Sequence, residues 1–301
     1  MKRVRLIRHG ESAANAGEPS LDHASIPLTV RGVEQAHQVA CSFDHAPGLV
    51  VASPFSRAQS TAMATVARYP AIRLETWPVH EFTYLEPTRC VNTTVAQRRA
   101  WVDEYWFRSD PAFTDGAGAE SFLDFLCRAR SFLDRLVAHP ADDIAVFSHG
   151  QFINAVAWLI ERKPQGIDGR AMADWREYEI QNPVPNGCGY RLSWSAGEAV
   201  WMITPPLSAR DVCEVLREVA WGRRVMTRVG QMSDSDHLDV EVGGWRISIY
   251  SNCGELDYCQ TCISPDGRRW SFDSGARYGT DPVALLSTWE HKTLGDLLKS
   301  L

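Results

Sequence analysis

Short apolar runs alternate with amphipathic stretches over the first two thirds of the chain, which predicts an α/β layer fold. Val4 to Ile7 reads as a buried strand ending in a polar turn at Arg8 and His9. Thr29 then caps a helix to about Phe43, with Val33, Ala36, Val39 and Ala40 on one face. Leu49 to Ala52 is a second strand. Ser53-Pro54 after it has the form of an N-cap with proline at the first helical position, and a helix follows to about Arg68. Ile72 to Trp77 makes a third strand. The stretch from Glu81 to about Ala119 is irregular and rich in aromatic residues. A long helix from Ser121 to about Ala138 repeats apolar residues at helical spacing, and Ile144 to Phe147 is a very apolar strand running into Ser148-His149-Gly150 and another helix. Tyr178 to Ile180, Gly189 to Trp194 and Ala199 to Ile203 read as closing strands.

The rhythm changes at Thr204-Pro205-Pro206-Leu207-Ser208. Two prolines cannot continue a strand ladder, and Ser208 can cap a new helix. This predicts a first domain over 1–204 and a small α+β domain over 208–301. In the second, a helix to about Trp221 precedes two hairpins. One turns at Gly243-Gly244 and joins Leu238–Val242 to Trp245–Tyr250. The other joins Leu256–Ile263 to Arg269–Phe272. Asp281-Pro282 is placed to start a C-terminal helix. Trp221, Trp245, Trp270 and Trp289 are expected in its core.

Composition narrows the function classes. Of 301 residues, 45% are hydrophobic and 23% charged, enough for sizeable cores, and the formal net charge of -6 offers no basic surface for nucleic acid or anionic membrane. The apolar run at the start is too short for a signal-peptide core, and no stretch approaches a membrane span. The eight cysteines are expected to be reduced thiols in a cytoplasmic protein. Cys253, Cys259 and Cys262 cluster in sequence, but an odd separation along a strand points Cys259 and Cys262 to opposite faces, which argues against a zinc site.

Open α/β sheets bind ligands at strand ends, and the ends here carry distinctive chemistry. Arg8-His9-Gly10-Glu11 ends the first strand, Ser53 to Arg57 follows the second, Glu81 lies past the third, and Ser148-His149-Gly150 ends a fourth. Guanidinium groups of Arg8 and Arg57 would keep a His9 imidazole neutral, hence nucleophilic, and could grip phosphoryl oxygens in bidentate fashion. Gly10 would let the backbone approach a ligand. Glu81 could protonate a leaving oxygen and later activate water. Glu75 and Glu86 are neighbouring carboxylates of the same type.

Taken together, Leu6-Ile7-Arg8-His9-Gly10-Glu11-Ser12, Asn15, Leu28-Thr29 with Gly32 and Gln35-Ala36, Ser53-Pro54 with Arg57-Ala58 and Thr61-Ala62, and Ser148-His149-Gly150 resemble the motifs of the histidine phosphatase superfamily, the phosphoglycerate-mutase-like enzymes. The resemblance implies a three-layer α/β/α sandwich. It implies that His9 accepts the phosphoryl group, that Arg8, Arg57, His149 and Asn15 bind it, and that Glu81 is the acid and base. No metal and no cofactor are required, and the substrate is a small phosphorylated molecule. Arg98-Arg99 resembles the paired arginines that bind substrate in the mutase branch, with Trp101 or Trp106 able to close over the pocket. Two departures stand out: Ala119 precedes Glu120-Ser121 where relatives commonly carry glycine, and Gln151 replaces a second glycine after His149-Gly150. Hydrolysis is the leading expectation. A phosphoglycerate-type mutase and a phospho-ligand sensor without turnover are the alternatives, and the second domain is read as a regulatory or protein-interaction module.

Overall fold

The computed structural model describes residues 1–19, 22–230, 237–252, 255–271 and 281–301, so Cys253 and Phe272 lie outside the described residues. The chain divides into two compact units, Met1–Pro205 and Pro206–Leu301.

The first unit is a mixed α/β sheet with helices on both faces. Its strands are β1 (Lys2–Arg8), β2 (Leu49–Ala52), β3 (Leu74–Thr76), β4 (Asp143–Ser148), β5 (Arg191–Ser195) and β6 (Val200–Thr204), in the spatial order β3-β2-β4-β1-β5-β6. Pairs among β1 to β4 are parallel, while β5 and β6 join antiparallel. The helices are α1 (Val30–Cys41), α2 (Ser56–Arg68), α3 (Arg99–Arg108), α4 (Phe122–Ala138), α5 (Gly150–Arg162) and α6 (Gly169–Gln181). Successive strand residues face opposite sides. Leu6, Leu49, Val51, Ile144 and Val146 enter one core with α4, α5 and α6, whereas Ile7, Val50, Ala52, Ala145 and Phe147 enter another with α1 and α2. Both faces are covered, so β2 and the Ile144 to Phe147 run of β4 are apolar without interruption, whereas β1 carries Arg5, whose guanidinium lies over the Phe43 ring.

Several local expectations change. Tyr178 to Ile180 is helical: Asp168 caps α6 by accepting from Ala171 N, and Met172, Trp175 and Tyr178 are its buried residues, at a spacing of three, while Ile180 is exposed. Val33 is exposed, and Gly32 and Gln35 take the buried face of α1. Ser53 does not cap α2. That helix begins at Ser56 with Phe55 at its cap position and no side-chain cap bond, leaving Ser53 Oγ free for the site. Thr29 and Ser121 do cap their helices, accepting from Gly32 N and Asp124 N.

The second unit is an antiparallel sheet packed on two helices. Strands β7 (Thr227–Arg228), β8 (His237–Val242), β9 (Trp245–Asn252), β10 (Glu255–Ile263) and β11 (Arg269–Ser271) lie in the order β11-β10-β9-β8-β7. Gly243 and Gly244 both have positive φ, 55° and 83°, as a two-residue hairpin turn requires. Helices α7 (Ala209–Ala220) and α8 (Thr288–Ser300) each start with a complete capping box, Ser208 with Asp211 and Ser287 with Glu290. Asp281-Pro282 therefore opens only a short 3₁₀ turn, Val283–Leu285, before α8.

Two expectations here are overturned. Cys259 and Cys262 are both fully buried in one core. Register shifts between Leu256 and Tyr258 and between Cys259 and Thr261 interrupt the alternation of β10, so the three-residue separation returns to the same face. Among the described residues no group of histidine, cysteine and carboxylate could hold a metal ion. Trp270 is buried and Trp245 packs against the core, but Trp221 and Trp289 are exposed. No described helix is long and apolar enough to cross a membrane.

Backbone contact sets the junction between β1 and its neighbours. Leu6 N donates to Tyr190 O and Arg8 N to Cys188 O, both at 2.8 Å. A Cβ on Gly189 would collide with the Leu6 carbonyl between these bonds. Gly189→Ala should thus lower stability by ~3 kcal/mol or more, a fall of roughly 6–12 °C in melting temperature. Gly197→Ala, where a Cβ meets open space, is the control in the same thermal scan. Equal melting temperatures for the two variants would contradict the contact.

Candidate active site

The site sits where β1 and β4 end side by side. Their register pairs Arg8 with Ser148, so His9 and His149 follow on neighbouring strands, and their rings meet edge to face at 5.0 Å. Gly10 makes the next turn possible, since a Cβ there would strike the carbonyl of Gly32 on α1.

His9 is buried, 3% exposed. Its Nδ1 lies 2.6 Å from Gly10 O. A carbonyl only accepts, so Nδ1 carries the proton and Nε2 keeps its lone pair. Arg57 Nε donates to that Nε2 at 3.0 Å. Burial holds the His9 pKa well below 6.5, and the Arg57 and Arg8 guanidiniums push the same way against the Gly10 hydrogen bond. The imidazole is therefore neutral at pH 7.

The cations are fixed by backbone carbonyls. Arg57, in the first turn of α2, donates through Nη1 to His23 O at 2.6 Å, and Arg8 Nη1 donates to Val184 O at 2.7 Å. Burial lowers the Arg57 pKa to about 10, which still leaves it charged at neutral pH. Asn15 Oδ1 accepts from Ser12 N, Ser12 Oγ and Asn186 Nδ2. Its Nδ2 has no partner among the described residues and Asn15 lines the cavity.

His149 is fully buried at the cap position of α5. Ser53 Oγ accepts from Phe55 N and lies 2.8 Å from His149 Nε2. With the hydroxyl proton given to Nε2, the ring proton rests on Nδ1, a buried donor without a protein partner. Burial, then Arg57 and His9, depress its pKa well below 6.5.

Glu81 Oε1 accepts from Gln151 N at 3.1 Å and from Phe82 N at 3.3 Å. Burial raises its pKa, opposed by Arg57 and Arg8. Its segment is anchored by Arg128, which forks onto Glu120 at 2.7 and 2.8 Å and donates to the carbonyls of Pro78 and His80. Glu120 N also donates to Thr83 O. Glu75 instead accepts from Trp77 Nε1, and Glu86 from Thr88 Oγ1, and neither lines the pocket.

A cavity of about 300 Å³ opens over these groups, lined by Arg8, His9, Asn15, Arg57 and Glu81 and also by the apolar Leu85, Val95 and Val102. Arg98 lines it. Arg99, one residue along α3 and so rotated by roughly 100°, pairs with Asp103 at 3.2 Å on the solvent side. The expected pair is thus a single arginine. The tryptophan lid is corrected too: Trp101 lies under Arg89, and Trp106 stacks on Trp175 and belongs to the core wall.

One contributor, Asn186, has no mark in the sequence: it holds His9 O at 2.8 Å, and Pro-Asn-Gly at 185–187 signals a turn rather than a ligand. Two residues that stand within the motifs gain a role only here: Thr61 Oγ1 accepts from Gly10 N at 3.0 Å, and Phe55 packs edge-on against both His23 and His149.

Comparison with known proteins supplies the family. The family model for the histidine phosphatase superfamily (branch 1) matches residues 4–183, and a domain of unknown function, DUF7693, matches 206–300. The chain is 46% identical over 211 residues to the adenosylcobalamin/alpha-ribazole phosphatase of Escherichia coli K12, covering 64% of this chain and 88% of that protein. The protein of the same name from Salmonella typhi is 28% identical over 160 residues, 49% of this chain and 73% of its own length. Among solved structures, the alpha-ribazole phosphatase of Shigella flexneri superposes with a TM-score of 0.52 at 26% identity, covering 67% of this chain and 95% of that one. A mycobacterial glucosyl-3-phosphoglycerate phosphatase, at 24% identity and a TM-score of 0.52 over 68% of this chain and 97% of its own, shares the fold. Through its first unit, the chain belongs to the histidine phosphatase superfamily, and its named relatives are phosphatases.

Proposed function

We propose that the first unit hydrolyses phosphomonoesters by way of a phosphoryl group carried on His9. The observation that supports this most is the His9 ring itself. Its proton is committed to Gly10 O, its Nε2 lone pair accepts from Arg57 Nε, and the charges of Arg57 and Arg8 both keep the ring neutral.

The chemistry proceeds in two displacements. Nε2 attacks phosphorus and the bond to the alcohol oxygen breaks, while the Glu81 carboxyl gives its proton to that oxygen. Glu81, now a carboxylate, takes a proton from water, the water oxygen attacks phosphorus, and the P–N bond breaks to release phosphate. Arg8, Arg57, Asn15 Nδ2 and His149 Nδ1 are donors that offset charge on the phosphoryl oxygens. These groups supply the positive charge that a metal would otherwise bring, so the reaction is read as metal-independent. The relatives' names make an alpha-ribazole-type phosphomonoester the first substrate to try. The seven described cysteines are free thiols, in keeping with a cytoplasmic location. The exposed Trp221 and Trp289 favour an interaction or regulatory role for the second unit.

Phosphate release in EDTA, compared between wild type and His9→Ala across a panel of phosphomonoesters, tests the reading. His9→Ala should lose at least about a thousandfold in kcat. Activity that survives the substitution, or that needs added divalent metal, would overturn it.

The pH profile carries a second prediction. Catalysis needs His9 unprotonated and Glu81 protonated. The lowered His9 pKa keeps the first condition down to well below pH 6.5, and the raised Glu81 pKa keeps the second above the ordinary 4.5. kcat/KM should therefore fall as pH rises through the Glu81 pKa. Glu81→Gln should remove that fall along with ~10²–10⁴ of the rate. A rate that climbs through pH 6.5 would contradict the assignment.

Arg98 is a further arginine lining the cavity. Arg98→Ala should raise KM for phosphomonoesters bearing a second acidic group by ~10–100-fold, as loss of a charge-assisted hydrogen bond does, and more than for aryl phosphates. Arg99→Ala should leave both KM values in place, and a shared effect of the two substitutions would sink the distinction.

A further inference from the structure

Gln151 lines the cavity beside Glu81. Its backbone N–H is committed to Glu81 Oε1 at 3.1 Å. Its side chain lines the cavity, and the carboxamide has no hydrogen-bond partner among the described residues. Gln151 belongs to the first turn of α5, directly after Gly150, which faces the Arg8 guanidinium. The backbone bond to Glu81 fixes where the Gln151 side chain begins.

The chemistry of the group limits what it can read. A carboxamide is neutral and offers donors and acceptors together. In the hydrolytic reading the phosphoryl oxygens are met by Arg8, Arg57, Asn15 and His149, so a neutral amide would add little there. A hydroxyl, itself donor and acceptor, is a closer match. The residue whose N–H holds the acid of the leaving oxygen stands at the level of the first carbons of the alcohol.

We propose that the Gln151 carboxamide is a specificity-determining contact. It hydrogen-bonds a hydroxyl carried one or two carbons from the phosphorylated oxygen and so selects polyol- and sugar-type phosphomonoesters over plain alkyl ones. The proposal rests on the hydrolytic reading given above. A site built to pair with a hydroxyl discriminates against the analogue lacking it, because its own polar group is then left unpaired.

Glycerol 1-phosphate and propyl phosphate differ only in their hydroxyls and make the matched pair. Wild type should favour glycerol 1-phosphate by ~10–100-fold in kcat/KM, mostly through KM. Gln151→Met, which keeps the length and removes both polar atoms, should bring that ratio close to one, and Gln151→Ala should do the same. The pH at which activity falls should stay where it is in wild type, since the backbone bond to Glu81 persists. A wild-type ratio near one, a ratio unchanged in the variants, or a moved pH profile would overturn the proposal. Failure of the hydrolytic reading shows separately, as p-nitrophenyl phosphate turnover that persists in His9→Ala.

Discussion

The parallel pairing of β1 with β4 is the constraint on which the site depends. It sets Arg8 opposite Ser148 and brings two histidines from positions 140 residues apart into ring contact. Everything else at the site is arranged around that pair. Arg57 reaches His9 from α2, Ser53 reaches His149 from the end of β2, and Gln151 reaches Glu81 from the turn that β4 feeds. A slip of one residue in this register would turn one ring to the opposite face of the sheet. The apolar side chains on both faces of both strands make such a slip costly, since each would exchange one core for the other.

Burial does the electrical work. The same desolvation that depresses His9 and His149 raises Glu81. A neutral imidazole and a carboxyl pushed toward its protonated form thereby coexist close to two guanidiniums, a combination that water would not favour. Both arginines are tied to carbonyls, and Arg57 stays charged because it remains a strong base even when buried. Positive charge is thus held in place before any phosphate arrives, which avoids reorganisation at the moment of reaction.

Much of this was legible in the sequence, and for physical reasons. Strand-end motifs such as Arg8-His9-Gly10 and Ser148-His149-Gly150 are local, so their elements and their chemistry are read together. The sheet and its flanking helices follow from periodicity. What escaped depended on contacts distant along the chain. Asn186 meets His9 across 177 residues, and nothing near it in sequence marks that meeting. Arg98 and Arg99 look alike as letters and part company only when helix geometry turns one inward. Cys259 and Cys262 obey strand alternation until the irregular register of β10 breaks it. Tyr178 to Ile180 is too short a run for its period to be told, and the cap at Asp168 decides it.

The close approach of Gly10 to Gly32 has an evolutionary reading. The main chain directly behind His9 is packed so tightly that an added methyl group cannot enter, so mutation has almost no material to work with there. The apolar wall, from Leu85 to Val102, is made of side chains on a three-turn helix and its approach. A lineage could rebuild that wall freely while inheriting the phosphate end unaltered. New substrates would then be acquired by changing what the pocket accepts beyond the phosphorus, and the chemistry at phosphorus would be kept.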